Sequence, residues 1–247
     1  MLRVLQISLL FFAFSLVGAQ NNTTTTWSFQ GAPVLCKQVY SIFPDAGWMV
    51  GYSLYTHLGL RFTPELGLDI GLGYVKQGTR EDTLLTFYLP QRTLRKMQFF
   101  MLQNEYLKVP LLFRYTAPEN KTRFYMNLGL QLGILLNSQL FLPEIFFQEI
   151  QLKKQTLNAT AYYQNVILEF CIGMGLEFRL SENFSLFTEG RFEYGLSDIR
   201  KTVVQGTMYQ TYVTQEGIKF DRPLTPAVTR NLSLAWHVGF SFRISSY

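Results

Sequence analysis

Apolar and polar positions alternate strictly over long stretches of this chain. In residues 231–244, near the C-terminus, every second position holds a large apolar residue: Leu232, Leu234, Trp236, Val238, Phe240, Phe242 and Ile244. The positions between them are polar or small. Because successive side chains of a β-strand point to opposite faces, this pattern predicts a strand with one fully apolar face.

The same alternation recurs along the chain and predicts eight strands. Seven are clear, and an eighth over 26–40 is weaker; in chain order the strands are 26–40, 48–62, 66–74, 106–115, 124–137, 167–180, 184–196 and 231–244. Most of them exceed the roughly 5–6 residues of a typical globular strand. A tilted membrane-spanning strand needs about 9–11 residues, which these stretches provide.

The composition of the two faces indicates which one meets lipid. Glycine and the charged residues concentrate on the non-apolar face. An eight-stranded barrel has an interior just wide enough to be filled by side chains, and stacked Leu, Phe and Trp from every strand would not fit there. We therefore predict an all-β fold, an eight-stranded antiparallel transmembrane β-barrel with its apolar face toward lipid and a packed polar lumen.

The connections alternate in length, as expected for such a barrel. The short ones are 63–65, 117–122 and 181–183, and the long ones are 41–46, 77–96, 138–163 and 199–229. In outer-membrane barrels short turns face the periplasm and long loops face the outside. The pattern predicts one barrel domain over 20–247, with outer-membrane lipid around it.

Residues 1–19 have the organisation of a signal peptide that is cleaved near Ala19: a basic Arg3, an apolar run and small residues before the cleavage point. Export to the bacterial outer membrane is the localisation this predicts. Charged residues make up only 16% of the chain and no long Lys/Arg run occurs, so the net charge of +5 does not indicate nucleic-acid binding. The two cysteines, Cys36 and Cys171, are able to pair or to remain buried thiols, and the sequence leaves both open.

Several stretches resemble the PorT-like outer-membrane barrels of Bacteroidota. They are "EYLKVPLLFRY" (105–115) followed by "FYMNLGLQLGILLN" (124–137), the Gly-rich stretch 171–199, and the closing "VGFSFRI". The resemblance implies the barrel fold, and one member of that family serves the type IX secretion system. Tyr247 resembles the C-terminal aromatic residue that barrel-assembly machinery reads during biogenesis.

The predicted inward row carries six cations and five anions. They are Arg61, Asp69, Lys108, Arg114, Glu169, Glu177, Arg179, Glu189, Arg191, Glu193 and Arg243. Buried charges persist when they are paired, so we expect a charge-paired plug with cross-strand pairs between the strands 167–180 and 184–196. The alternative is an ion path or a catalytic carboxylate pair. His57 and His237 also face inward and are expected to be structural rather than proton shuttles, and Pro110 predicts a β-bulge.

Large apolar residues in the two longest predicted loops are candidates for a partner-binding surface: Leu140, Phe141, Phe146, Phe147, Tyr209 and Tyr212. The alternative is that strands five to eight in chain order extend above the bilayer and pair there. No nucleophile or metal-ligand motif is evident, and we expect no cofactor. The predicted function is a non-enzymatic scaffold, surface-binding or secretion-accessory barrel whose partners are cell-envelope or secretion-system proteins. An enzyme acting on lipid or peptide, or a narrow pore, is the alternative.

Overall fold

A computed structural model describes residues 24–40, 47–88, 93–118, 121–147, 150–201, 209–213, 219–223 and 228–244. The predicted signal peptide (1–19) and Tyr247 lie outside the described residues. The strands are β1 (Thr24–Tyr40), β2 (Met49–Arg61), β3 (Leu66–Tyr88), β4 (Thr93–Thr116), β5 (Thr122–Leu142), β6 (Ile145–Phe147), β7 (Ile150–Leu152), β8 (Gln155–Asn158), β9 (Val166–Arg179), β10 (Phe184–Gly195), β11 (Tyr209–Val213), β12 (Lys219–Pro223) and β13 (Thr229–Ile244). The helical part of the described chain is a single 3₁₀ turn over Thr160–Tyr162, too short to cross a membrane.

Eight of these strands close into a ring, which confirms the predicted barrel. Each barrel strand pairs antiparallel with its neighbour in the order β1, β2, β3, β4, β5, β9, β10 and β13. The last strand, β13, pairs antiparallel with β1 and completes the circle. Closure leaves no strand edge exposed to lipid, where unpaired backbone groups would be very costly.

Short turns join the strands at one end of the barrel, as the sequence predicts. They connect β2 to β3, β4 to β5 and β9 to β10. In two of them a hydroxyl accepts a hydrogen bond from a backbone N–H three residues on: Thr63 from Leu66 at 3.0 Å and Ser181 from Phe184 at 3.1 Å. Such side-chain-to-backbone bonds favour tight reversals. We call this end the turn end; it is the periplasmic end in barrels of this class.

The opposite end differs from the sequence prediction, because much of the predicted loop structure is strand. The predicted loop 77–96 is wrong: β3 continues to Tyr88, β4 begins at Thr93, and the two pair along this whole length. β5 likewise continues to Leu142 and pairs with β8. The hairpin of β11 and β12 extends this sheet by pairing with β3. The barrel wall therefore rises on one side beyond the other strands.

The lipid-facing rows are exposed, as predicted. Leu54, Leu128 and Trp236 lie on different strands and are 60%, 49% and 62% exposed. Side chains of this size on the outside of a closed ring have only lipid to contact. The apolar outer face is therefore the membrane-embedded surface of the protein.

A β-bulge changes the facing of residues in the upper part of β5. The register between β4 and β5 shifts at Glu105 and Tyr106. Below the shift the odd-numbered residues of β5, such as Gln131, face inward, and above it the even-numbered ones, such as Leu140, do. The bulge predicted at Pro110 is wrong, since Pro110 pairs with Gln131 in a regular register.

Above the membrane-embedded band the inward face of the wall becomes apolar. Lys76 and Glu105 face outward and form an ion pair at 3.4 Å, which marks the end of the outer apolar rows. Above them the inward side chains form an apolar cluster of Phe100, Leu102, Tyr106, Leu140, Leu142, Ala159, Tyr163, Ile167 and Ile199. We call it the upper core. A buried apolar cluster of this kind is typical of a structure that stands in water.

A charged lumen as the candidate functional site

The inward face of the membrane-spanning strands is polar, and the structure places the predicted charged row there. Eight of its eleven members are buried: Asp69, Lys108, Arg114, Glu169, Glu177, Glu189, Arg191 and Glu193. Arg61 and Arg179 are half-buried and Arg243 is exposed, because these three lie at strand ends beside the turn end. The row therefore divides into a buried interior and a hydrated mouth.

Lys108 is the centre of the upper part of the lumen. Its ammonium group is fully buried and lies 2.6 Å from Glu169 Oε2 and 2.9 Å from Glu193 Oε2. It also donates to Gln77 Oε1 at 3.1 Å. One cation thus faces two carboxylates contributed by β9 and β10, and it joins them to β3 and β4 across the barrel.

Neutral side chains complete the hydrogen bonding of these two carboxylates. Glu169 accepts from Gln131 at 2.7 Å and from Asn231 at 3.0 Å, and Glu193 accepts from the Ser233 hydroxyl at 3.1 Å. Buried carboxylates are tolerated when they are paired and fully hydrogen-bonded. The cluster therefore spans the lumen with groups from six of the eight barrel strands.

A second cluster lies below it, around Glu189. Arg191 Nε donates to Glu189 Oε1 at 2.6 Å. The other oxygen of Glu189 accepts from the Tyr125 hydroxyl at 3.1 Å and from Asn127 at 2.8 Å. Arg191 Nη1 is buried without a hydrogen-bond partner among the described residues, and the guanidinium lies 5.4 Å from the centroid of the Tyr55 ring.

A third cluster lies toward the turn end. Glu177 accepts from Arg114 at 2.7 Å and from Arg123 at 2.8 Å. Asp69 pairs with Arg61 and lies 3.6 Å from Arg114. Arg123 was not among the residues we expected in the lumen. The alternation of β5 places it on the inward face with Tyr125 and Asn127, and extending that strand by one residue would have included it.

The cross-strand ion pairs predicted between β9 and β10 are wrong. The register sets Glu189 opposite Gly175, Arg191 opposite Gly173 and Glu193 opposite Cys171. Each charged side chain of β10 therefore lies over a small residue of β9. A β-carbon at Gly173 would approach Glu189 Oε1 to 2.5 Å, so the missing side chain leaves the space that the carboxylate occupies.

The two inward histidines pack against one tyrosine. Tyr55 stacks on His57 with ring centroids 5.5 Å apart and lies 5.7 Å from His237. His57 Nε2 and both ring nitrogens of His237 are buried and have no hydrogen-bond partner among the described residues. His237 therefore has no hydrogen-bond partner among the described residues that would fix the orientation of its ring.

Two further features bear on the chemistry the lumen offers. Cys36 and Cys171 are buried free thiols on β1 and β9, so the pairing left open by the sequence does not occur in this structure. The described residues contain no group of three His, Cys, Asp or Glu side chains arranged to hold a metal ion. What the lumen shows is a set of paired charges linked across the barrel by hydrogen bonds.

The candidate partner-binding residues fall in different environments. The prediction that Leu140 belongs to a partner-binding loop is wrong. Leu140 lies in β5, is only 1% exposed and packs inside the upper core. Phe141 points to the outer side of the same strand and is half-buried. Phe146 and Phe147 belong to β6, and Tyr209 and Tyr212 belong to β11. The alternative that strands five to eight in chain order extend above the membrane and pair there holds for β5, which continues to Leu142 and pairs with β8.

A closed eight-stranded ring with a lipid-facing apolar band and a paired polar lumen defines an integral outer-membrane β-barrel. The chain belongs to the family described as the outer membrane protein beta-barrel domain, whose model matches residues 12–201. It is accordingly a protein of the bacterial outer membrane.

Solved barrels with a similar fold share little sequence with this chain. A major outer membrane protein from Thermus thermophilus is 14% identical with a TM-score of 0.49, covering 91% of this chain and 100% of that one. OprG from Pseudomonas aeruginosa is 9% identical (TM-score 0.44, 91% and 96% covered), and Neisserial surface protein A is 11% identical (0.42, 88% and 97%). No curated protein matches the sequence. Likeness at this level carries no information about activity.

Proposed function

We propose that this barrel is a non-enzymatic scaffold or surface-binding protein with a closed lumen, and that it holds a protein partner at its outer end. The observation that carries the proposal is an apolar surface on the extended wall. Phe99 and Met101 of β4 point outward and are 38% and 39% exposed. Phe141 of β5 lies directly opposite Met101 in the ladder. We call these three residues the outer patch.

The position of the outer patch separates it from the lipid-facing rows. Met101 lies four residues beyond Glu105, which together with Lys76 marks the end of the apolar band. An exposed apolar surface at that height faces water unless another molecule covers it. Arg80 lies over the Phe99 ring at 4.6 Å from its centroid, which adds a cation beside the aromatic surface. Aromatic residues, Met and Arg are enriched in protein interfaces.

The upper core gives this surface a rigid support. Phe100, Leu102 and Leu140 alternate with the patch residues along the same strands and are buried on the opposite side. A side chain held on a packed strand loses less conformational freedom on binding than one on a free loop. The resemblance to PorT-like barrels makes a cell-envelope or secretion-system protein the partner class that we favour.

Co-purification from outer membranes tests this proposal. We expect one or more envelope proteins to co-purify with the wild-type barrel and to be lost from a Phe99→Ser, Met101→Ser, Phe141→Ser variant. The matched control is Gln103→Ser with Gln139→Ser, which changes neighbouring outward positions on the same two strands. All three proteins should keep the mobility of a folded barrel on unheated gels. Identical co-purifying proteins from all three, or none from any, would contradict the proposal.

A further inference from the structure

The turn end of the barrel opens into a cavity of about 360 Å³ lined largely by arginines and hydroxyl groups. The arginines are Arg61, Arg114, Arg123, Arg179 and Arg243, contributed by five different strands. We call this cavity the inner mouth. Arginines from separate strands meet here because each lies on the inward row near the last rung of its strand. The hydroxyl-bearing residues of the lining include Ser28, Ser185 and Ser241.

Positive charge is in excess at the inner mouth. Five guanidinium groups face three carboxylates, which are those of Asp69, Glu177 and Glu182. The pairs of the third lumen cluster use Arg61, Arg114 and Arg123. Arg243 is exposed, lines the cavity and forms no ion pair with a described residue. This part of the barrel therefore differs from the interior above it, where two cations face three carboxylates.

A second observation points to a missing partner at the same place. Arg123 Nε is buried and has no hydrogen-bond partner among the described residues, although the terminal nitrogen of this side chain binds Glu177. A buried donor without an acceptor is costly unless water or a ligand supplies the acceptor. Arg123 belongs to the lining of the inner mouth, so this buried donor lies in the wall of the cavity.

The geometry points to a binding site for a phosphate group at the inner mouth, and we propose that the barrel binds a phosphate-bearing anion there. Guanidinium groups match the oxygens of a phosphate with paired N–H donors, and serine hydroxyls supply further donors. A water occupies about 30 Å³, so the cavity has room for a phosphate and several waters. The phosphate comes either from a lipid head group of the adjacent leaflet or from a soluble periplasmic molecule.

Calorimetric titration of the purified full chain in a non-ionic detergent at low ionic strength tests the site with inorganic phosphate. We expect saturable binding that weakens about tenfold or more in an Arg179→Gln, Arg243→Gln variant, as the loss of charge-assisted hydrogen bonds implies. The control variant, Lys76→Gln with Arg230→Gln, removes the same charge at the opposite end of the barrel. It should bind phosphate like the wild type.

Native mass spectrometry separates the two sources of the phosphate. Protein extracted from vesicles of phosphatidylglycerol and phosphatidylcholine should retain phosphatidylglycerol, and the Arg179→Gln, Arg243→Gln variant should lose it, if the head group is the ligand. Phosphate binding without lipid retention would identify a soluble anion; either result supports the site. If the protein binds neither phosphate nor phosphatidylglycerol, or if both variants lose binding equally, the proposed site is wrong. Heat-dependent gel mobility shows that each variant is folded.

Discussion

At the scale of single residues, the lumen depends on side chains that are missing as well as on those present. Gly173 lies opposite Arg191 in the ladder, and Glu189 extends into the space above it. The carboxylate cannot move aside freely, since Arg191, Tyr125 and Asn127 all bind it. The glycine is therefore required by close approach rather than by backbone conformation.

Gly173→Ala should accordingly destabilise the barrel by about 1–3 kcal/mol, the usual cost of overpacking. The measurement is the free energy of urea unfolding in lipid vesicles, followed by tryptophan fluorescence. Gly190→Ala on the neighbouring strand is the matched control, because no atom lies within 4 Å of the position that its added β-carbon would take. That substitution should leave stability unchanged or raise it by about 0.5–1 kcal/mol. Equal effects at the two positions would contradict the packing described for Glu189.

Lys108 offers a second test at this scale. Lys108→Met leaves Glu169 and Glu193 buried without their cation and should cost about 3–5 kcal/mol in the same unfolding measurement. Adding Glu169→Gln and Glu193→Gln to that variant should recover much of the loss, because the remaining groups are neutral. Lys76→Met, in the outer ion pair with Glu105, should cost no more than about 1 kcal/mol. A small effect of Lys108→Met alone would mean that the lumen is well hydrated.

At the scale of the strand, the two faces of β5 should respond differently to charge. Leu130 points to lipid within the apolar band and is 45% exposed. Leu130→Arg should destabilise by about 2–4 kcal/mol, since the charge would lie within the hydrocarbon. Val228→Arg, at an exposed apolar position just before β13, is the control and should cost about 0–1 kcal/mol. Similar losses of stability at both positions would show that the membrane boundary assigned here is wrong.

The strands also show where sequence patterns stop being informative. The alternation of apolar and polar residues located every barrel strand because lipid selects one face over the whole membrane-spanning length. Above Lys76 and Glu105 that selection ends, and outward positions carry Gln103, Met101 and Arg80 without a regular pattern. The sequence pattern of the upper parts of β3 and β4 therefore predicted a loop. The bulge in β5 then turned Leu140 from the outward to the inward face. A prediction based on strict alternation along a strand does not include such a reversal.

At the scale of the whole molecule, the lumen should not conduct ions. The Lys108 cluster joins β3 and β4 to β9 and β10, and the Glu189 cluster joins β5 to β10, by direct contacts of 2.6–3.1 Å. We expect planar-bilayer recordings of the purified protein to show no stable current. A current that persists in repeated insertions and changes with Lys108→Met would favour the narrow pore instead.

The lumen network itself could be predicted only in part. The alternation identified which charges face inward, including Glu177, Arg114 and Asp69. It did not identify their partners, because the pairing of Glu177 with Arg114 and Arg123 depends on the register of two other strands. The inner mouth could not be predicted from the sequence for the same reason. Its arginines lie far apart in sequence and meet only when the ring has closed.

Ring closure also has a consequence for the timing of biogenesis. β1 pairs with β13 over most of its length, from Thr25 opposite Ile244 to Tyr40 opposite Thr229. Until β13 has been delivered, β1 and β10 are open edges whose backbone groups no lipid can satisfy. A chain arrested during export, even with seven strands present, would therefore have no stable place in the bilayer. The protein should enter the membrane only after its final strand arrives, and truncation before residue 229 should leave it to periplasmic proteolysis.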